Sequence, residues 1–321
     1  MIFKKIKALV CRVVKRGTLL ANKMLNHLET RPISGKDAFD FPPIFIIGPP
    51  RSGSTLLFQV MVNAFNFGYT SNAHAKWYGG MSYYERFRSK KSQGASDYTS
   101  QHGRTKGKHS PHESWQYWYQ FFRKTPMFVG NSDIAPSLLG KLRRSLLRIT
   151  RASEMPFLFK NLPCAMRLAP LTNVVPEALY IVTQRDYLAT AHSILAGRKK
   201  ANGNYDDWWS VEPKEIDELR KLPAEEQVVK QIYSIYHEID SHREKIGPDK
   251  ILDISYEVLC EDTHGTIERI QSFLESNSIN TKAGYSEVPF RFDINKKVKI
   301  DADLYTRLET YVQMTSKTLI D

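Results

Sequence analysis

The stretch Ile44-Phe45-Ile46-Ile47-Gly48-Pro49-Pro50-Arg51-Ser52-Gly53-Ser54-Thr55-Leu56-Leu57 decides the fold. Four β-branched or aromatic apolar residues predict a buried strand. The following "TLLFQVMVNAFNF" places apolar residues at helical period, so strand, glycine loop and helix follow one another. Gly48, Gly53 and Thr55 stand where a phosphate-binding loop of the form G-x-x-x-x-G-K-[ST] wants them. Ser54 occupies the lysine position, and the loop's only cation is Arg51. Glycines let backbone N–H groups close around a phosphate, and the N-terminus of the helix adds positive potential. Ser52, Ser54 and Thr55 add hydroxyl donors. Without a lysine to bridge β- and γ-phosphates, the loop suits a nucleotide with a single 5′-phosphate bearing a terminal group, which Arg51 would face.

Outward from the loop, "MPFLFK" (155–160), "ALYIVTQRD" (178–186) and "KILDISYEVL" (250–259) are further apolar runs ending in charge. Helical periods alternate with them: "SWQYWYQFF", "SLLGKLRRSLLRIT", "YLATAHSILAG" closed by Gly197, "AEEQVVKQIYSIYHEIDSHREKIG", "THGTIERIQSFLES" and "ADLYTRLETYVQMTSK". Strands alternating with helices predict an α/β fold, a parallel sheet with helices on both faces and helical insertions. We expect one such domain over 41–321, preceded by a basic helix and linker over 1–40. A polar, basic stretch near 86–112 has no periodicity and is expected to be a mobile loop.

The bulk composition of the 321 residues is globular, with 41% hydrophobic and 12% aromatic residues. A net charge of +12 favours anionic partners without choosing among nucleotides, nucleic acid, acidic lipids and acidic glycans. Cys11, Cys164 and Cys260 are far apart and odd in number, which excludes a disulfide framework and any C-x-x-C metal site and points to a reducing, cytoplasmic setting. No run of about 18 apolar residues is present to span a bilayer. The first 28 residues repeat Ile2, Ile6, Leu9 and Val13 on one stripe and carry no acid. Such a basic amphipathic helix fits a membrane surface, and equally fits a groove on its own domain; a transit peptide is a third reading.

"PPIFIIGPPRSGSTLL" resembles the 5′-phosphosulfate loop of sulfotransferases that use 3′-phosphoadenosine 5′-phosphosulfate (PAPS), in the P-R-S-G-[ST]-T wording of the bacterial and protein-tyrosine branch. "YIVTQRDYLATAHSIL" is similar to that family's 3′-phosphate motif, an arginine at a strand end and a serine eight residues later, here Arg185 and Ser193. "FLFKNLP" resembles the segment whose lysine assists catalysis, here Lys160, and "ISYEVL" the Y-E-x-L element, with Tyr256 and Glu257. The resemblance covers about Pro42 to Leu274. It implies PAPS as co-substrate, no metal, and transfer of a sulfuryl group to a hydroxyl of a glycan, glycolipid or small alcohol. It further implies that Arg51 and Lys160 act at the sulfonate, that Ser52, Gly53, Ser54 and Thr55 hold the 5′-phosphate, and that Arg185, Ser193 and Tyr256 complete the nucleotide site.

The acceptor hydroxyl needs a base. The glutamate stretch that follows the loop helix in protein-tyrosine enzymes is absent; the comparable "GYTSNAHAKWYGG" offers His74. Glu113 in "HSPHESWQY", similar to a P-x-E element of bacterial members, is the rival. Aromatic residues from Trp77 to Tyr84 and from Trp115 to Tyr119 suit sugar rings, and equally suit core packing. Two other readings stand beside this one. A P-loop kinase would use Asp186 in the place of a Walker B aspartate, and a nucleic-acid binder would use the net positive charge.

Overall fold

The structure, a computed structural model, describes residues 2–88, 97–99, 105–294 and 297–318. A long helix α1 (Ile2–Glu29) leads to strand β1 (Ile44–Ile47), helix α2 (Ser54–Ala64) and strand β2 (Gly68–Tyr69). Short helices α3 (Asn72–Lys76), α4 (Met81–Phe87) and α5 (Trp115–Trp118) follow, then α6 (Pro136–Ser153), β3 (Phe157–Lys160) and α7 (Leu168–Val174). Strand β4 (Leu179–Gln184) feeds α8 (Tyr187–Asn202), α9 (Ile216–Leu219), α10 (Ala224–Asp240) and α11 (Arg243–Ile246). Strand β5 (Ile251–Ser255) precedes α12 (Tyr256–Glu261), α13 (Thr263–Ser276) and α14 (Ala302–Thr318).

The five strands form one parallel sheet in the order β2-β3-β1-β4-β5. All four residues of β1 are fully buried, as a central strand covered on both faces requires. Ile44 and Ile46 point toward Leu57, Phe58 and Met61 of α2 and Ile267 and Ile270 of α13. Phe45 and Ile47 point toward Leu142 and Leu146 of α6 and Ile235 and Ile239 of α10. A third cluster joins Ile194 and Leu195 of α8, Val228 and Ile232 of α10, and Leu304 and Leu308 of α14. The expected α/β architecture is present. From β1 the chain moves toward β3 and β2, and from β4 toward β5, so the loops after β1 and β4 flank the switch point where α/β sheets bind ligands.

Three expectations change. Helix α8 does not close at Gly197 but runs on to Asn202, where Gly203 takes a left-handed conformation with φ of 84°. Gly197 is instead a packing residue, because a Cβ there would lie 2.9 Å from the Trp209 ring. The helix expected over "SWQYWYQFF" is a single turn, α5, with Tyr117 and Trp118 fully buried in the core. Strand β2 was not foreseen; two residues carry no pattern. Of the basic stretch 86–112, residues 89–96 and 100–104 lie outside the described residues. Its far end is tied to the start of α3 by Asn72, whose Nδ2 donates to the Thr105 and Gly107 carbonyls, and by Ala73 N–H donating to Lys108.

Candidate active site

At the carboxyl edge of β1 the chain turns through a loop closed from both sides. Gly48 has φ of 143°, and a Cβ there would lie 2.6 Å from Thr183 Oγ1 on β4. Gly53 has φ of 89°, and a Cβ there would run into the Tyr256 ring at the start of α12. These positions need both the left-handed backbone and the missing side chain. Ser52 is fully buried; its hydroxyl donates to the Pro49 carbonyl at 2.7 Å and lies 2.5 Å from Thr183 Oγ1. Ser52 therefore holds the bend from inside, its hydroxyl placed between Pro49 and Thr183. Thr183, which nothing in the sequence reading singled out, fixes two loop residues; a polar residue interrupting an apolar strand near its end was the available signal.

Arg51 sits in the left-handed region with φ of 69°, a costly conformation for a side-chain-bearing residue that its surroundings must impose. Its carbonyl accepts a bond from Arg185 Nη1 at 3.0 Å, and its own Nε donates to Ser193 Oγ at 3.0 Å. Arg185 lies at the end of β4 with its guanidinium 4.5 Å from the centre of the Tyr256 ring, and its buried Nε has no acceptor among the described residues. Burial pushes the Arg51 pKa below the usual guanidinium range, and the adjacent charge of Arg185 pushes it further. Neither arginine has a carboxylate among its hydrogen-bond partners within the described residues. Two half-buried like charges held together in this way form a receptacle for an anion. The two phosphate motifs, distant in sequence, are thus joined through the Arg51–Ser193 bond.

On the other flank of β1, Lys160 ends β3, with Ile46 as its register partner. Its buried ammonium donates to Glu113 Oε1 at 2.6 Å and to Thr55 Oγ1 at 3.1 Å, at the first turn of α2. Glu113 Oε2 is buried and has no donor among the described residues. The chain carrying Glu113 is held beside β2: His112 N–H donates to the Thr70 carbonyl at 2.9 Å and Thr70 Oγ1 to the His112 carbonyl at 2.7 Å. Ser114, with φ of 49°, then turns the chain away, its N–H donating to His112 Nδ1 at 2.8 Å.

His74 is not part of this constellation. It is fully buried, packs edge-on against Tyr84 and Phe157, and accepts the Ser71 N–H at Nδ1. That bond leaves the proton on Nε2, which faces Glu85 Oε1 at 2.8 Å. Burial drives its pKa down, and the Glu85 contact only partly opposes this. Nδ1 thus caps α3, and Nε2 lies against the Glu85 carboxylate of α4, away from Lys160 and Glu113. The Walker B reading fails as well, since Asp186 is the N-cap of α8 and accepts the Ala189 N–H at 2.7 Å. The structure thus brings Arg51, Gly53, Thr55, Glu113, Lys160, Arg185, Ser193 and Tyr256 to one edge of the sheet, with Ser54 opening α2 there.

Solved structures similar to this chain include a sulfotransferase of Mycobacterium tuberculosis H37Rv, 15% identical with a TM-score of 0.49, over 93% of this chain and 84% of that one. A sulfotransferase of Mycobacterium avium is 14% identical with a TM-score of 0.46, over 87% and 78%. No curated protein matches the chain. Residues 42–278, most of the length and all of the sheet, match the profile of the sulfotransferase family, and the chain belongs to that family as a sulfotransferase enzyme.

Proposed function

We propose that the protein transfers a sulfuryl group from PAPS to a hydroxyl of an acceptor, with Glu113 as general base. The observation that carries this reading is the joined cation site of Arg51, Arg185 and Ser193, lying on the switch-point side of β1 while Lys160 and Glu113 lie on the other. An adenosine carrying both a 3′- and a 5′-phosphate fits these residues. Gly53, Ser54 and Thr55 would hold the 5′ end at the α2 N-terminus, and Arg185 and Ser193 the 3′-phosphate. Tyr256 would fix the Arg185 guanidinium from below. When bound, PAPS supplies the sulfuryl group and a phosphate leaving group.

The chain's own residues then do three things. The loop amides, Arg51 and Lys160 present positive charge where negative charge grows during transfer. Lys160 bonds Glu113 and Thr55 together, so the base and the loop helix are held in one frame. Glu113 takes the proton of the acceptor hydroxyl, and its Oε2 is the atom left without a donor. Half-buried Trp115 and Tyr119, with ring centres 6.0 Å apart, follow Glu113 directly and support a glycan, glycolipid or small alcohol as acceptor.

Calorimetric titration with adenosine 3′,5′-diphosphate tests the nucleotide site. Arg51→Ala and Arg185→Ala are each expected to weaken binding by ~1.5–3 kcal/mol, the range for a charge-assisted bond. Wild-type affinity in both variants rules the site out. A ³⁵S-donor screen over hydroxylated glycans, lipids and small alcohols identifies the acceptor.

A further inference from the structure

Helix α1 has two faces that meet different surroundings. Toward its C-terminus one face is clamped to the body. Asn22 Nδ2 donates to the Lys76 carbonyl at 3.0 Å and its Oδ1 accepts the Gly79 N–H at 2.7 Å. Leu25 lies against Gly80, and Glu29 accepts Ser82 N–H at 3.0 Å and Ser82 Oγ–H at 2.6 Å. Asn22, Leu25 and Glu29 recur at helical spacing and define the inner face. The opposite face carries Val13, Leu20 and Met24, which are 62%, 62% and 73% exposed although they share one stripe. Arg16 and Lys23 flank that stripe and are exposed, while Lys15 is exposed on the other side of the helix. Upstream, the sequence adds Lys4, Lys5, Lys7 and Arg12, and no acid occurs before Glu29.

A 28-residue helix is about 42 Å long, and among the described residues the bonds that pin it to the body lie in its last two turns. We propose that α1 is a docking helix for an anionic phospholipid surface, held by Asn22 and Glu29 so that its apolar stripe and the cations beside it, Arg16 and Lys23, face the lipid together. No described helix is long and apolar enough to cross a membrane, so α1 lies in the interface rather than through it. Charge complementarity selects the occupant. An anionic leaflet matches a segment that carries seven cations and no acid before Glu29, whereas pairing with a second copy would set like charges against each other. The inference is independent of the transfer chemistry.

The test uses the full chain and sedimentation with vesicles of phosphatidylcholine alone or mixed with phosphatidylserine. We expect binding to the mixed vesicles only, weakening as salt is raised. The double variant Val13→Asp/Leu20→Asp should bind at least tenfold more weakly, with unchanged melting temperature and unchanged affinity for adenosine 3′,5′-diphosphate. Both side chains are exposed, so the fold does not depend on them. Equal binding by variant and wild type overturns the proposal, as does failure to bind the mixed vesicles at low salt. A wild-type dimer in light scattering that the double variant abolishes assigns the stripe to a second copy instead and also overturns it.

Discussion

A carboxylate with one oxygen on an ammonium and the other without a donor is placed to accept a proton from a hydroxyl brought to it. Glu113 has this arrangement through Lys160, so Glu113→Gln should lower turnover by about 10²–10⁴-fold, the range for loss of a positioned base. Nucleotide affinity should stay unchanged, since Glu113 touches neither arginine. Transfer of ³⁵S to acceptor checks the first expectation and calorimetry the second; a Gln variant with full turnover removes Glu113 from the chemistry. His74→Asn should do the opposite, lowering the melting temperature while leaving nucleotide affinity near that of the wild type. In the sequence the two residues were equals, one histidine and one glutamate in polar surroundings. What separates them is burial under Tyr84 and Phe157 and the approach of Glu85 and Lys160, all of which are tertiary contacts. Arg51 and Arg185 were legible because each stands at a strand end beside a helix start, where local order alone fixes the position.

Among the elements, α1 shows how one buried carboxyl governs an attachment. Burial pushes Glu29 up to about 7 despite the two bonds from Ser82, so the folded state favours the neutral carboxyl. Because the folded value lies above the unfolded one of 4.5, the stabilisation is complete below pH 4.5 and is lost as pH rises through about 7. The full swing is about 3 kcal/mol at most, from 1.36 kcal/mol per unit. Glu29→Gln should remove this slope, and melting curves of both proteins between pH 4.5 and 8 measure it; parallel pH profiles refute the assignment. Element boundaries were less legible than element types. Gly197 looked like a helix end because glycine commonly closes helices, yet here it makes room for Trp209, and no local pattern distinguishes these uses. Strand β2 exists only because β3 offers it a parallel neighbour.

Across the whole molecule, the sheet order makes one site from distant sequence. Arg51 and Arg185 are 134 residues apart, and their contact exists because β1 and β4 are hydrogen-bonded neighbours. Four of the five strands were readable from apolar runs; their order was not, since every buried parallel strand looks alike in sequence. A ligand spanning both loops should therefore report on the integrity of the sheet. At about 100 times its Kd, adenosine 3′,5′-diphosphate should add ~2.7 kcal/mol to stability and raise the melting temperature by several degrees. In Arg185→Ala, a loss of ~1.5–3 kcal/mol in affinity leaves the same ligand concentration near or below about ten times Kd, and the shift should fall to half or less. Adenosine 5′-monophosphate, lacking the 3′-phosphate, should give a small shift that is equal in both proteins, because Arg185 then has nothing to grip. If Arg185→Ala keeps the full shift with adenosine 3′,5′-diphosphate, the nucleotide binds away from the β4 edge. If both nucleotides shift the wild type equally, the 3′-phosphate has no site.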